Sequence, residues 1–446
     1  MSEELTRDKV ATEDTWDLTT IYPEEAAWEA EASGLQALVE RAVSARGTLD
    51  QSAENLAGGL AAALDVQLRI ARLITFASLR RDEDTTNTNA SGRYERAVMM
   101  AIQAGQALAF LQPEIVSIPG ERLAALMDDP ALQAYRHVLE DIDRKRPYVR
   151  SAEVEEVLAQ FADVARAPAE AFSALDDADL DFGMVHDDEG RDVKLTEGRY
   201  AVLQESRHRE VREESYEAMS RAYRNHAYTL TSLYGSSVRK DATAARIRGY
   251  DSARAEALFD DNVPATVYDS LITAVSEATD VVERYLALRR RALDLDALEA
   301  WDLRVPLAPA PPRRYAYREA VEVVLDGLAA LGGRYTTDLG QGFASRWVDV
   351  HETKGKRSGA YSWGVYGSPP VMLMNWNGML TDVFTLAHEA GHAMHTFYAN
   401  ATQPFHFASY SIFLAEIAST VNEVLLTWRL LGREEGQDSI ARFGLL

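Results

Sequence analysis

Residues 24–178 are dominated by alanine, leucine, glutamate and arginine, with apolar side chains returning every three or four positions. That spacing lines one stripe of an α-helix but scatters over both faces of a strand, so it commits this stretch to helices packed stripe against stripe. Leu60, Leu64 and Leu68 form one such stripe, and Leu108, Leu111 and Ile115 another. Turn signals at Ile118-Pro119-Gly120, Arg146-Pro147 and Ala167-Pro168 predict where the run is cut into separate helices. The pattern breaks between residues 179 and 196. There Phe182-Gly183-Met184-Val185, a turn at Asp187-Asp188-Glu189-Gly190, and Val193-Lys194-Leu195 predict a short hairpin. Helical periodicity resumes over 196–294, and the proline-rich stretch 307–312 predicts a stiff connector. A division into 1–195 and 196–446 follows.

A chain of 446 residues with 47% apolar content can bury more than one core. It has no cysteine, which removes disulfides, thiolate catalysis and Cys-ligated metals from consideration. A formal net charge of −24 opposes a phosphate backbone, so no nucleic-acid partner is expected; the plain meaning of the charge is solubility. The first nine residues have no apolar run, so no signal peptide is expected. No stretch reaches the ~18 continuous apolar residues of a membrane span, so no membrane partner is expected and a cytoplasmic location is the simplest expectation.

The character changes at 358–375. Tyr361, Trp363 and Val365 alternate with Ser362, Gly364 and Tyr366, which is strand periodicity; residues 367–370 turn the chain, and 371–374 read as a second strand. Residues 381–392 then read TDVFTLAHEAGH, an H-E-x-x-H on a predicted helix with Thr381 or Asp382 as N-cap. Four residues is just over one turn, so His388 and His392 leave the same face and can bind one zinc ion. Glu389 is turned about 100° from its neighbour, within reach of a metal-activated water without being a ligand.

A catalytic zinc needs a third protein ligand. A metzincin would supply it from glycine and histidine positions that here hold His395 and Tyr398, which excludes that class. The other common source is a glutamate on a following helix. Pro404 ends the first helical region, and residues 411–431 read as the next helix, with Ile412, Glu416, Ser419 and Glu423 on one face. Glu416 and Glu423 are both candidates. Glu416, set among Leu414, Ala415, Ile417 and Ala418, is preferred as ligand, and Glu423 as the carboxylate orienting a ligand histidine. His395 is expected to line the cleft or pack, and His351 and His406 to be ordinary polar residues near it. A closed structural zinc site would call mostly on cysteines, which the chain lacks.

Residues 354–364 (KGKRSGAYSWG), 384–395 (FTLAHEAGHAMH), 415–423 (AEIASTVNE) and the opening 15–23 (TWDLTTIYP) resemble the oligoendopeptidase F branch of the thimet oligopeptidase-like (M3) zinc metallopeptidases, a likeness that runs through the chain. The resemblance implies a mainly α fold: two helical lobes flanking a deep channel for short peptides, with a small β-sheet next to the HExxH helix. It implies one Zn2+ per chain on His388, His392 and Glu416, with Glu389 as general base, and makes 196–446 the catalytic domain. Tyr361 and Gly364, on the strand that could pair with an extended substrate, join Glu423 and His395 as substrate-binding or supporting residues. Family members continue well past Leu446 into a Tyr- and Gly-rich segment whose tyrosines and histidines bind substrate and stabilise the oxyanion. Here the sequence stops at Ala441-Arg442-Phe443-Gly444-Leu445-Leu446, so the catalytic domain is expected to be C-terminally incomplete: a fragment, a frameshifted product or a shortened chain. The expectations are a zinc endopeptidase or, alternatively, a truncated or degenerate member that binds zinc without efficient turnover.

Overall fold

The computed structural model describes residues 5–307 and 314–433. Apart from Leu307, the proline-rich connector lies outside the described residues, as does the stretch 441–446. Helices dominate, as the periodicity predicts. Glu25–Val43, Ala53–Asp82 and Thr88–Leu108 pack against one another. Two of them open on side-chain caps. Ser52 accepts from the Asn55 N–H, and Asn87 from those of Asn89 and Ala90, which satisfies amides the helices leave unpaired. Their core holds Trp28, fully buried, whose indole N–H donates to the Leu73 carbonyl at 3.0 Å. Shorter helices through Arg144 close a second core around Leu56, Leu60, Ile115, Leu132 and Leu139.

Two of the three expected turns are present. Ile118-Pro119 parts Leu111–Ser117 from Gly120–Met127, and Arg146-Pro147 lies between Arg136–Arg144 and Ala152–Ala174. Pro168 makes no turn, because it sits inside Ala152–Ala174. Proline there forfeits one backbone hydrogen bond. Packing along Ala227–Arg248 carries the helix through, an outcome that local sequence cannot signal.

The hairpin forms from Met184–His186 and Asp192–Lys194, antiparallel with Val185 opposite Val193. Val185 and Leu195 share a small core with Leu203, Val211 and Ala218, so apolar packing is continuous across position 195. The expected helical stretch arrives as six helices, from Glu197–Leu203 to Thr279–Ala292.

A three-stranded sheet joins the two halves of the chain. Its central strand Val371–Trp376 is parallel to Val348–His351 and antiparallel to the edge strand Tyr361–Trp363. Strand Val348–His351 has no counterpart in the periodicity analysis, since a buried four-residue strand shows no alternation. The central strand serves two cores by turns. Val371 and Leu373 pack on the N-terminal helices, whereas Met372, Met374 and Trp376 pack on Val383, Leu386, Ala390 and Met394. Those last four residues belong to the helix Leu380–Thr402, which carries the HExxH motif. Among the described residues no helix is long and apolar enough to cross a membrane.

Candidate metal centre

The motif helix begins two or three residues earlier than its capping signals suggest. Met379 is the N-cap and Asp382 works from the third helical position, where its Oδ2 accepts the N–H groups of Asn377 (2.8 Å) and Met379 (3.0 Å). The helix ends at Thr402, ahead of Pro404, and a short turn Phe405–Ala408 leads into the closing helix Ile412–Arg433. These two long helices meet more closely than ordinary side chains permit. A Cβ at Gly391 would fall 2.6 Å from Ser419 Cα and 2.7 Å from the Ala418 carbonyl oxygen, so the backbones touch there. The closing helix turns Ala415, Ser419, Asn422 and Leu426 inward, all buried. Leu414 and Ile417 instead face outward and Glu416 is half-exposed, which corrects the expectation that apolar neighbours hold Glu416 inside.

Three donor atoms converge at this crossing. His388 Nε2 and His392 Nε2 are 3.1 Å apart, and Glu416 Oε2 lies 3.4 Å from the first and 3.7 Å from the second. Among the described residues, His388, His392 and Glu416 are the group of this kind that could hold a metal ion. Ligands ~2.0–2.1 Å from a tetrahedral zinc stand about 3.3–3.4 Å from one another, close to these separations. The chemistry of the donors agrees. His388 Nδ1 donates to Glu423 Oε1 at 2.6 Å, leaving a lone pair on its Nε2. Burial and then His388 lower the pKa of His392, outweighing Glu416 and the Ala415 backbone, which favours the neutral ring. Two lone pairs facing each other at 3.1 Å repel unless a cation lies between them. Ser419 Oγ donates to Glu416 Oε2 at 2.9 Å, holding the carboxylate toward the rings.

Glu389 lies beside this group and is buried, with Oε2 unpartnered. Burial pushes its carboxyl up to about 7, with Glu416 adding to the rise and His388 and the Ser362 N–H opposing it. A cation on the neighbouring ligands would draw it back toward the ionised form.

The other expected residues divide. Glu423 stands behind His388 as described. His395 stacks on Tyr410 at 3.7 Å, its Nδ1 buried without a partner, and lines a cavity of about 680 Å3 between the two long helices. The side chain of Tyr361 does not reach the metal ligands. Its hydroxyl donates to Asp82 Oδ2 at 2.8 Å, and its ring lies 6.5 Å from that of Trp16. Gly364 is close-packed for a different reason from the one expected: a Cβ there would sit 2.6 Å from Thr396 Cγ2, so its bare backbone makes room for the motif helix. His351 Nε2 lies 3.3 Å from Asp14, and His406 Nε2 donates to the Ala134 carbonyl at 2.8 Å, so both act as ordinary polar residues. Gly391 and Asn422 escaped sequence reasoning, and Ser419 entered it only as a member of the Glu416 face, although the four- and three-residue spacing of Ala415, Ser419, Asn422 and Leu426 is a helix-pairing signal.

Residues 202–443 match Peptidase family M3, and residues 114–182 match a second family description, Oligopeptidase F. Oligopeptidase PepF of Bacillus subtilis is 38% identical over 97% of this chain and 64% of its own length. Group B oligopeptidase PepB of Streptococcus agalactiae is 36% identical over 97% of this chain and 71% of its own. The crystal structure of oligoendopeptidase-F from Enterococcus faecium superposes with a TM-score of 0.71 at 28% identity, covering 94% of this chain and 69% of that one. The chain thus spans about two thirds of the length of these relatives.

Proposed function

Because the chain belongs to peptidase family M3, in its oligoendopeptidase F branch, we propose that it binds one zinc ion through His388, His392 and Glu416 and hydrolyses internal bonds of short peptides. The convergence of two imidazole lone pairs and one carboxylate oxygen next to a buried, unpartnered carboxylate carries this reading. Zinc bound there would polarise the scissile carbonyl and bring the pKa of water down toward ~7. Glu389 takes the proton of the attacking water on its free Oε2 and returns it to the departing amine. Glu423 holds His388 in the tautomer that keeps Nε2 available, and Ser419 holds Glu416. The edge strand Tyr361–Trp363 contributes its backbone rather than the Tyr361 side chain. The Ser362 N–H is taken by Glu389, so the Ser362 carbonyl, on the same side of the strand, is the group left for an extended peptide. We keep the division near 195, with 196–446 as the catalytic unit.

A second reading is zinc binding without efficient turnover. It is favoured by the outer face of the closing helix, where Ile412, Phe413, Leu414 and Ile417 stand exposed near Glu416. The test is digestion of a mixed peptide pool by the zinc-loaded chain, followed by mass spectrometry, with Glu389→Gln as control. Internal cleavage that the control lacks, by ~10²–10⁴-fold, supports the endopeptidase. Bound zinc with no cleavage supports the second reading, and a wild-type chain that takes up no zinc overturns both.

A further inference from the structure

Asn422 is buried to 1% exposure between the closing helix and the HExxH helix, and both ends of its amide are used. Its Nδ2 donates to the Ala387 carbonyl at 2.9 Å and lies 3.1 Å from the Tyr335 hydroxyl, which is also 3.2 Å from its Oδ1. Ala387 immediately precedes His388, and Asn422 immediately precedes Glu423, the partner of His388. Tyr335 comes from a third helix, Gly333–Ala344, so three helices are tied at one amide.

Resting on the zinc reading above, we infer that Asn422 is a positioning residue: it fixes the register of the closing helix against the HExxH helix so that Glu416 meets the two histidines. Elsewhere the closing helix meets its neighbours by close approach, with the Ser419 backbone at Gly391 and Leu426 at Gly327. Asn422 adds directional bonds to that fit: a slide of one turn, about 5.4 Å, would both lift Ser419 from Gly391 and strand a buried amide. One buried asparagine fixes register in paired helices by this means, at some cost in stability. The same slide would carry Glu416 Oε2 away from nitrogens it now approaches to 3.4 and 3.7 Å. The bond from Asn422 is therefore a distance constraint on the third ligand, applied two turns away from it. Burial raises the pKa of the Tyr335 hydroxyl to about 12, with the Asn422 amide opposing the rise, so the phenol stays protonated beside that amide.

The experiment measures zinc affinity by chelator competition, and in parallel the unfolding of the metal-free chain, for wild type, Asn422→Leu, Tyr335→Phe and Leu426→Ala. Asn422→Leu keeps the branched shape, with a larger volume, and removes the amide's bonds; zinc affinity falls ~10–100-fold, the range for losing a partner outside the ligands themselves. Tyr335→Phe removes one hydroxyl, with little risk to folding, and gives a smaller loss in the same direction. Leu426→Ala loosens the packing of the closing helix on Gly327 without touching the amide; it destabilises the metal-free chain and leaves zinc affinity within about threefold of wild type. Wild-type affinity in Asn422→Leu, or in Tyr335→Phe should Asn422→Leu fail to fold, overturns the inference. So does an equal loss in Leu426→Ala, which would make Asn422 only one of several packing residues. A wild-type chain without affinity for zinc removes the metal reading itself, and this inference with it.

Discussion

Replacing Gly391 with alanine should damage the metal site without touching a ligand. The added Cβ would lie 2.6 Å from Ser419 Cα, 2.7 Å from the Ala418 oxygen and 2.9 Å from Ser419 N, and all three are backbone atoms that no rotamer change can withdraw. Ordinary contact starts at 3.4 Å, so the two helices must part by about 0.8 Å at their crossing. Glu416 lies one turn from Ser419 on the same rigid helix, and its carboxylate moves by a similar amount. Metal–ligand distances tolerate only about ±0.2 Å, so Glu416 can no longer meet the histidines at bonding distance. Overpacking should destabilise the metal-free chain by about 1–3 kcal/mol, and zinc affinity should fall by at least ~10–100-fold. Chelator competition reads the second quantity and urea unfolding of the metal-free chain the first. Gly364→Ala is the control, because its close neighbour Thr396 Cγ2 is the free end of a side chain and can rotate away; stability should drop while zinc affinity holds. A Gly391→Ala chain that is destabilised yet binds zinc as wild type would refute the idea that this crossing sets ligand geometry.

Two further outcomes follow from other contacts. Glu423→Ala should weaken zinc binding ~10–100-fold by releasing His388 Nδ1, with metal content after dialysis as the readout; undiminished retention would remove Glu423 from the site. Asp302, fully buried, is pushed up by burial, but hydrogen bonds from Arg209, the Glu299 N–H and Arg212 outweigh this and hold it at about 2. A carboxyl depressed in the folded state contributes stability above its unfolded pKa and loses it as pH falls through the folded one. The advantage of wild type over Asp302→Asn, about 2 kcal/mol from this shift, should therefore shrink between about pH 4 and pH 2. Urea midpoints at successive pH values measure it, and a gap independent of pH would show that the carboxyl titrates alike in both states.

The helical class, the hairpin near 190, the HExxH helix and its end before Pro404 were legible because each depends on residues close in sequence. Pro168 misled, since a turn-favouring residue was carried inside a helix by contacts with residues 227–248. Strand Val348–His351 left no signal, and Tyr361 looked like a cleft residue until Asp82 and Trp16 claimed its side chain. Motif spacing singled out His388, Glu389 and His392 because one helical turn fixes their geometry whatever surrounds them. The place of Glu416 is another matter. It depends on a glycine that lets two backbones touch, a serine that holds the carboxylate and an asparagine that ties one helix to the other. Periodicity along a helix decides which way a side chain leaves it; only the packing of one helix on another decides what that side chain meets.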